Sequence, residues 1–311
     1  MASSVPQTFV KQYSANVFHL SQQKGSRLMG LVRNESQNSE SAFYDRIGEV
    51  EAIEKVGRNQ NVVIQDVPHS RRRVTTRDYY YGSMVDQEDK LRMIQSPESQ
   101  YALAAAYTLG RKMDDVVIAS ALGIAYSGKE GETSVAFPDS QVVAGFDGTT
   151  TTGVGLTVAT LIGIKTKFMA NEVEPGDLYI AVSSAQLANL LNEDRATNSD
   201  YAAIKALVQG DIDTFMGFKF IHTERLPVTA ASTTYNVASG SIGAGTGTLL
   251  AGARRCFAWK KDGLLLSIAS GVDTKMDPIP EKFHAVQILA KMSIGGVRME
   301  EEKVVEIRCK E

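Results

Sequence analysis

Residues 178–191 read Leu178-Tyr179-Ile180-Ala181-Val182-Ser183-Ser184-Ala185-Gln186-Leu187-Ala188-Asn189-Leu190-Leu191. Five apolar residues in a row, bounded by a turn, predict a short buried strand over 178–182. Ser183 then fits a helix N-cap, with Gln186 three residues on to complete a capping box and Leu187, Leu190 and Leu191 facing inward. A polar loop leads to a second helix expected over 200–209, stopped by Gly210. A strand follows over 215–222 and ends before Leu226-Pro227. Strand, helix, helix and strand within about 45 residues make a compact α/β unit.

Outward toward the N-terminus, the turn Glu174-Pro175-Gly176-Asp177 closes a helix expected over 156–172, with Val158, Leu161, Ile162, Phe168 and Met169 inside. Residues 127–156 are rich in Gly, Thr, Ser and acids and offer little to bury, which predicts an exposed loop or a short polar hairpin. A much longer helix comes before them. Ser96 suits the N-cap, Pro97 the first helical position, and Glu98 the positive end of the dipole. Tyr101, Ala105, Leu109, Met113 and Val117 then recur every fourth residue, and the helix is expected to reach 126, with Gly128 beyond its end. About 30 residues at ~1.5 Å each give a rod of roughly 45 Å. Gly110 and Gly123 weaken it, which points to close approach of another backbone.

Residues 58–93 read as one long β-hairpin with polarised charge. Val62, Val63 and Ile64 precede a turn at Pro68-His69; then come Arg71, Arg72, Arg73 and Arg77, three tyrosines (Tyr79, Tyr80, Tyr81), and the acids Asp86, Glu88 and Asp89. A hairpin that buries no face in its own domain is marginal in water, so it must pack on something else. Arg with aromatics binds single-stranded nucleic acid, and Arg and Tyr are also enriched where proteins meet. The acids on the same hairpin favour a protein contact. Residues 1–34 hold Lys11, Lys24, Arg27 and Arg33 and no acid, with Phe9, Tyr13 and Phe18 among the scattered apolar positions. They read as a partly ordered tail or as an arm across a neighbouring subunit.

Toward the C-terminus, strands are expected at 249–251, 256–259, 264–268, 283–293 and 304–309 after a Gly/Ser/Thr-rich loop. Gly243-x-Gly245-x-Gly247 has neither the flanking strand and helix nor the Lys of a phosphate-binding loop, so it reads as flexible chain. The run Glu300-Glu301-Glu302 spreads its carboxylates over both faces and suits a solvated edge better than a metal site. His19, His69, His222 and His284 are dispersed. No nucleophile, metal or cofactor motif appears, so no catalytic, metal or cofactor residue is expected.

Composition sets wide bounds. With 311 residues, 43% hydrophobic and 22% charged, the chain is ordinary globular protein. A net charge of −3 gives no sequence-wide pull toward nucleic acid or acidic membranes. Cys256 and Cys309 lie far apart and read as free thiols in a reducing compartment. The opening residues lack a secretory pattern and no apolar run approaches a bilayer span, so a soluble intracellular product is expected.

The order of these parts resembles the tailed-bacteriophage major capsid (coat) protein family, whose fold is shared with herpesvirus capsid floors and encapsulin shells. Locally, 178–191, Asp200-Tyr201, Gly210 with Phe215-Met216-Gly217-Phe218, Leu226-Pro227, and the closing Gly295-Gly296-Val297-Arg298-Met299 with Val304-Val305-Glu306-Ile307 are similar to segments of many such coats. The resemblance implies an α+β fold: an N-arm (1–57), an extended β-hairpin E-loop (58–93), a peripheral domain with a long spine helix (94–177 and 272–311) and an axial domain (178–271). It implies a non-enzymatic subunit that forms pentamers and hexamers of an icosahedral shell around double-stranded DNA. Such a shell is assembled in the bacterial cytoplasm and ends in the virion, with no membrane and no sequence-specific DNA binding. Intersubunit contacts are expected from Arg71–Arg73, Arg77, Tyr79–Tyr81, Asp86, Glu88 and Asp89 of the E-loop, and from Lys11, Tyr13, Phe18, Lys24 and Arg27 of the arm. The short region before the hairpin implies a separate scaffolding protein beside a portal, and a decoration protein is a further partner of such shells. No lysine lies between Lys55 and Lys90, so no isopeptide weld from the E-loop is expected. The alternatives are an encapsulin-like cellular nanocompartment shell and, from another class, a nucleotide-binding enzyme using residues 243–247.

Overall fold

The computed structural model describes residues 22–58, 61–86, 98–145, 154–192, 214–229, 233–237, 245–249 and 253–310. They fall into two compact units. One holds the described parts of 1–26, 78–112 and 270–293, the other those of 27–77, 113–269 and 294–311.

β1 (Arg33–Ser36) follows a 3-10 turn at Met29–Leu31. β2 (Ser41–Ile47) pairs antiparallel with β3 (His69–Thr75), Ser41 opposite Thr75 and Ile47 opposite His69. β4 (Arg77–Val85) belongs to a different sheet. This corrects the expected hairpin over 58–93: the hairpin is β2–β3, and the described residues of its tip, 48–58 and 61–68, form no strand. Only Thr76 separates β3 from β4, and one residue cannot reverse a chain into a ladder that needs at least about two. Val62-Val63-Ile64 has strand chemistry but finds no ladder partner.

α1 (Glu98–Leu122) buries Ala105, Leu109, Met113 and Val117 of the expected stripe, while Tyr101 at its start is exposed. Ser96 and Pro97 lie outside the described residues. The helix stops at Leu122 rather than 126, and the chain turns into β5 (Ala125–Ser127), which pairs with β3 and with β6 (Thr133–Val135). β7 (Val142–Ala144) leads to α2 (Val158–Ala170), capped by the Thr157 side chain, which accepts from the Thr160 amide. Ile162 and Met169 were expected inside but are exposed, and Ile164 is buried in their place.

β8 (Leu178–Val182) is the strand read from the sequence, and α3 (Ser184–Asn192) follows it. Gln186, expected three residues after the helix cap, is buried. Its amide accepts from Leu156 N–H at 2.9 Å and donates to Lys310 O at 3.2 Å, tying α3 to two distant backbones. Glu224 also serves the helix start, accepting from Ser184 N–H at 2.8 Å. The helix expected over 200–209 lies outside the described residues. β9 (Thr214–Phe215) and β10 (Phe218–His222) flank a tight turn in which Met216 and Gly217 both have positive φ.

β11 (Thr233–Val237) pairs antiparallel with β12 (Gly245–Leu249). Gly245 and Gly247 therefore sit in a ladder rather than in a loop before a helix. β13 (Arg254–Lys260), β14 (Leu264–Ile279), β15 (Ala285–Arg298) and β16 (Val304–Cys309) complete the chain.

In the larger unit a six-stranded sheet runs in the order β7-β16-β13-β8-β10-β9. β8 and β10 are parallel, as a helical crossover between them requires. The sheet draws strands from 94–177, 178–271 and 272–311 alike, so the boundaries at 177 and 271 are not seams in it. Its core is aromatic: Phe257 and Trp259 rings lie 4.7 Å apart, Tyr179 and Trp259 5.7 Å, Phe168 and Phe218 6.1 Å. The buried indole N–H of Trp259 donates to Leu31 O at 3.0 Å, which fastens the entering chain to the core. Beside it β1 runs parallel to the start of β14, Arg33 opposite Leu265 and Ser36 opposite Ile268. Cys256 and Cys309 are buried.

Candidate functional site

The tip of the β2–β3 hairpin has little cover. Its tip carries Val50, Ile53, Val56, Val62, Val63, Ile64 and Val67 exposed, and Val62 and Ile64 each keep 88% of their surface in water. Glu49, Glu51, Glu54 and Lys55 intersperse them. Lys55 is therefore a hairpin lysine, and the expectation that this loop offers none is corrected by the shift of the hairpin toward the N-terminus.

The hairpin base is tied down by arginines of opposite fates. Arg71 pairs with Asp45 across the ladder at 3.0 Å, with its guanidinium 5.7 Å from the Phe43 ring, and remains partly exposed. Arg73 lies 5.1 Å from the Tyr126 ring and donates to Glu130 O at 3.2 Å. Arg72, between them, points to the other face of the strand and is only 1% exposed. It pairs with Glu301 and donates to Met299 O at 3.4 Å. Burial pulls the Arg72 guanidinium below its ordinary value, against the pull of Glu301. The expected intersubunit role is corrected for Arg72, which is an internal anchor.

Glu301 also faces Arg46 at 3.7 Å and Arg298 at 3.5 Å. Arg298 is fully buried and closes α1: it donates to Ala121 O at 3.0 Å and Gly123 O at 2.9 Å, and its guanidinium lies 4.8 Å from the Phe137 ring. Arg255 adds a bond to Leu122 O at 3.4 Å. Two cations at the negative end of the dipole satisfy carbonyls that no longer have helical partners, so the helix can end and β5 can depart. Arg255 and Arg308 hold Glu306, each from Nε at 2.6 Å. Burial pushes the Glu306 carboxyl up, but these bonds outweigh it and hold it below the usual carboxylate value.

The root of the arm is fixed separately. The buried Asp114 carboxylate accepts the amides of Arg27 and Leu28, each at 3.1 Å. The Arg27 guanidinium bonds to His222 O and lies 3.3 Å from its Nδ1. Arg225 pairs with the neighbouring Asp115. Arg27, expected to reach a neighbour, makes these bonds within its own subunit and is exposed, as is Lys24. The close approach anticipated at Gly110 is also internal, since a Cβ there would stand 2.6 Å from Gly25 Cα.

The other expected contact residues scatter. Arg77, Tyr80 and Asp86 are exposed, Tyr79 and Tyr81 half-buried, and Lys112 sits 5.2 Å from the Tyr79 ring. Glu88, Asp89, Lys11, Tyr13 and Phe18 lie outside the described residues. Among the described residues no three His, Cys, Asp or Glu side chains are grouped to hold a metal ion, and no helix is long and apolar enough to cross a membrane. An open cleft of about 640 Å³ beside the hairpin base is lined by Asp45, His69, Arg71 and Lys129, of which Asp45 and Arg71 already satisfy each other.

The sequence matches the family model described as phage capsid protein over residues 5–311. A search of curated proteins finds no match. Among solved structures, the capsid of cyanophage P-SCSP1u is similar at a TM-score of 0.72 and 13% identity, covering 99% of this chain and 95% of that one. The cyanophage Pam1 capsid asymmetric unit gives 0.72 and 12%, covering 100% and 98%. The capsid of Ralstonia phage GP4 gives 0.71 and 10%, covering 97% and 95%. At such identities the likeness is one of fold and carries no residue roles.

Proposed function

This chain belongs to the phage capsid protein family, and from that premise we propose that its β2–β3 hairpin is the segment that laps over neighbouring copies in the shell. It is a major capsid protein, a structural subunit of the virion that works by self-assembly. A cellular nanocompartment shell is not favoured, since the family match and the similar structures are phage capsids.

The observation that carries the hairpin assignment is the row of exposed branched apolar residues at its tip. Leaving such a row in water gains nothing, and covering it with a neighbour removes apolar surface at ~25 cal/mol per Å². The rigid base, anchored by Arg72 on Glu301, sets the direction in which the tip projects. In this reading Arg71, Arg73, Arg77 and Tyr80 border the contact, the segment with Lys11, Tyr13 and Phe18 lies across an adjacent subunit, and the copies gather as pentamers and hexamers of an icosahedral shell. The enclosed genome is double-stranded DNA, held without sequence readout. Assembly takes place in the bacterial cytoplasm with a separate scaffolding protein and a portal, a decoration protein is a further partner, and the subunit performs no catalysis.

Electron microscopy of the purified protein, expressed with and without its neighbouring phage genes, tests the whole reading. Closed shells tens of nanometres across are expected, and a persistent monomer under every condition would refute it. For the hairpin, Val56→Asp with Ile64→Asp is expected to leave a folded subunit that makes no shells; normal particles from that variant would remove the tip from the contact.

A further inference from the structure

Three arginines converge on one carboxylate at the base of the β2–β3 hairpin. In that ladder Arg46 stands opposite Ser70 and Arg72 opposite Tyr44, so both arginines share one face. Arg298, the last residue of β15, joins them around Glu301. Arg72 is 1% exposed and Arg298 0%, so two full positive charges lie out of water with one carboxylate among three guanidiniums. Glu302 attracts Arg72 as well, but from an exposed position. Burial pulls both buried arginines below their ordinary value, and repulsion adds to it, from Arg46 on Arg72 and from Arg72 on Arg298.

Hydrogen bonding is out of balance at the same place. Arg72 directs Nη2 to Glu301 and Nε to Met299 O, which leaves its buried Nη1 without an acceptor among the described residues. Arg298 commits Nη1 and Nη2 to backbone carbonyls, and its buried Nε, 3.5 Å from Glu301, makes no hydrogen bond. A buried donor on a charged group is costly to leave unpaired, and folded proteins pair nearly all such donors with protein, water or an ion. One species answers both imbalances: an acceptor that carries negative charge. A single charge is enough, because Glu301 already offsets one of the three cations. Access comes through Arg46, the half-buried member, which with Ser70, Glu300 and Glu302 lines an open cleft of about 630 Å³.

We infer that the Arg46, Arg72 and Arg298 group is a binding site for a small monovalent anion of the chloride class, seated at Arg72 Nη1. The inference does not rest on the capsid reading. The anion is held by β2, β3 and β15 together, so its binding clasps the hairpin base to the strand whose last residue closes α1.

Urea denaturation of the full-length free subunit tests this, with sodium chloride exchanged stepwise for sodium gluconate so that ionic strength stays fixed. An ion that binds only the folded state raises the folded-to-unfolded ratio about tenfold for each tenfold rise in chloride above its dissociation constant. That slope is expected for the wild type, with bromide acting like chloride. Arg71→Ala, on the other face of β3, is expected to keep it. Arg72→Lys retains the charge but lacks the forked donors, and is expected to lose it. Glu301→Gln removes the competing carboxylate, so the same response is expected at chloride concentrations at least tenfold lower. A purely structural role of Glu301 would not move the response in that direction, and this variant decides the matter if Arg72→Lys fails to fold. The line width of the chloride NMR signal reads binding directly, broadened by wild type and not by Arg72→Lys. Wild-type stability independent of chloride overturns the inference, and so does a response that neither Arg72→Lys nor Glu301→Gln alters.

Discussion

Arg298 donates to the carbonyl oxygen of Ala121 at 3.0 Å from a fully buried position, so a residue of the last long strand decides where the longest helix ends. The same guanidinium reaches Gly123 O, and its burial lowers its ordinary proton affinity despite Glu301 nearby. A cation is kept out of water here because it replaces the missing turn of α1.

Removing it should therefore unfold more than a surface. Arg298→Met retains the stem but leaves the buried carbonyls of Ala121 and Gly123 without this donor, and should destabilise the subunit by about 3–5 kcal/mol. Urea denaturation of the free subunit measures this. A loss no larger than that of an exposed arginine would contradict the capping role.

Arg72 and Arg71, neighbours in sequence, should separate cleanly. Arg72→Ala removes a buried side chain and one of the three arginines that face Glu301, and is expected to cost about 3–5 kcal/mol, whereas Arg71→Ala at an exposed pair costs about 0–1 kcal/mol. Denaturation curves of the two variants check the order. A triple Glu substitution at 71–73 accordingly probes folding as well as assembly.

Glu224 gives a signed pH dependence. The bond from Ser184, ahead of those from His222, lowers its carboxyl from 4.5 to about 2. A depressed carboxylate stabilises the fold above its unfolded value and loses that contribution as pH falls through the folded one. The advantage of wild type over Glu224→Gln should thus be constant above pH 4.5 and shrink toward pH 2. Melts at several pH values measure it, and a difference independent of pH across that window would contradict it.

Asp114→Asn should loosen the root of the arm. The charge-assisted bonds to the Arg27 and Leu28 amides are lost, at a cost of about 1–3 kcal/mol. Hydrogen exchange localises the change, with faster exchange expected at Arg27 and Leu28.

Gly295→Ala should strain the junction between β15 and the end of β3. A Cβ at 295 would stand 2.5 Å from Thr75 O, which is backbone and cannot swing away. Overpacking of about 1–3 kcal/mol is expected, read as a lowered midpoint in thermal unfolding.

What the sequence revealed was governed by local rules. The five-residue apolar run at Leu178–Val182 and the four-residue spacing from Ala105 to Val117 emerged as read, because strand and helix faces are set by neighbours in the chain. The misreadings came where distant residues decide. α1 ends early because Arg255 and Arg298 arrive from β13 and β15. The Gln186 side chain bonds to Leu156 and Lys310, and Glu224 reaches the helix start, contacts between distant segments that no local rule shows. Of three consecutive arginines, strand alternation implied that the middle one faces the other way, but only the position of Glu301 makes that face interior. Ser41–Ile47 contains the alternation of a strand, and its pairing with His69–Thr75 spans a tip that no local signal defines.

The parallel pairing of β1 with the start of β14 also has a temporal side. Arg33 meets Leu265 about 230 residues later, so on a ribosome adding roughly 5–20 residues per second the partner emerges after an interval of ten seconds or more. Until then the N-terminal stretch has no ladder, and neither Leu31 O nor Gln37 has met its β13 or β14 counterpart. Synthesis itself thus acts as a timer: a nascent subunit cannot lock the entry of its chain, and cannot offer a finished surface to its neighbours, until Ile268 has been translated.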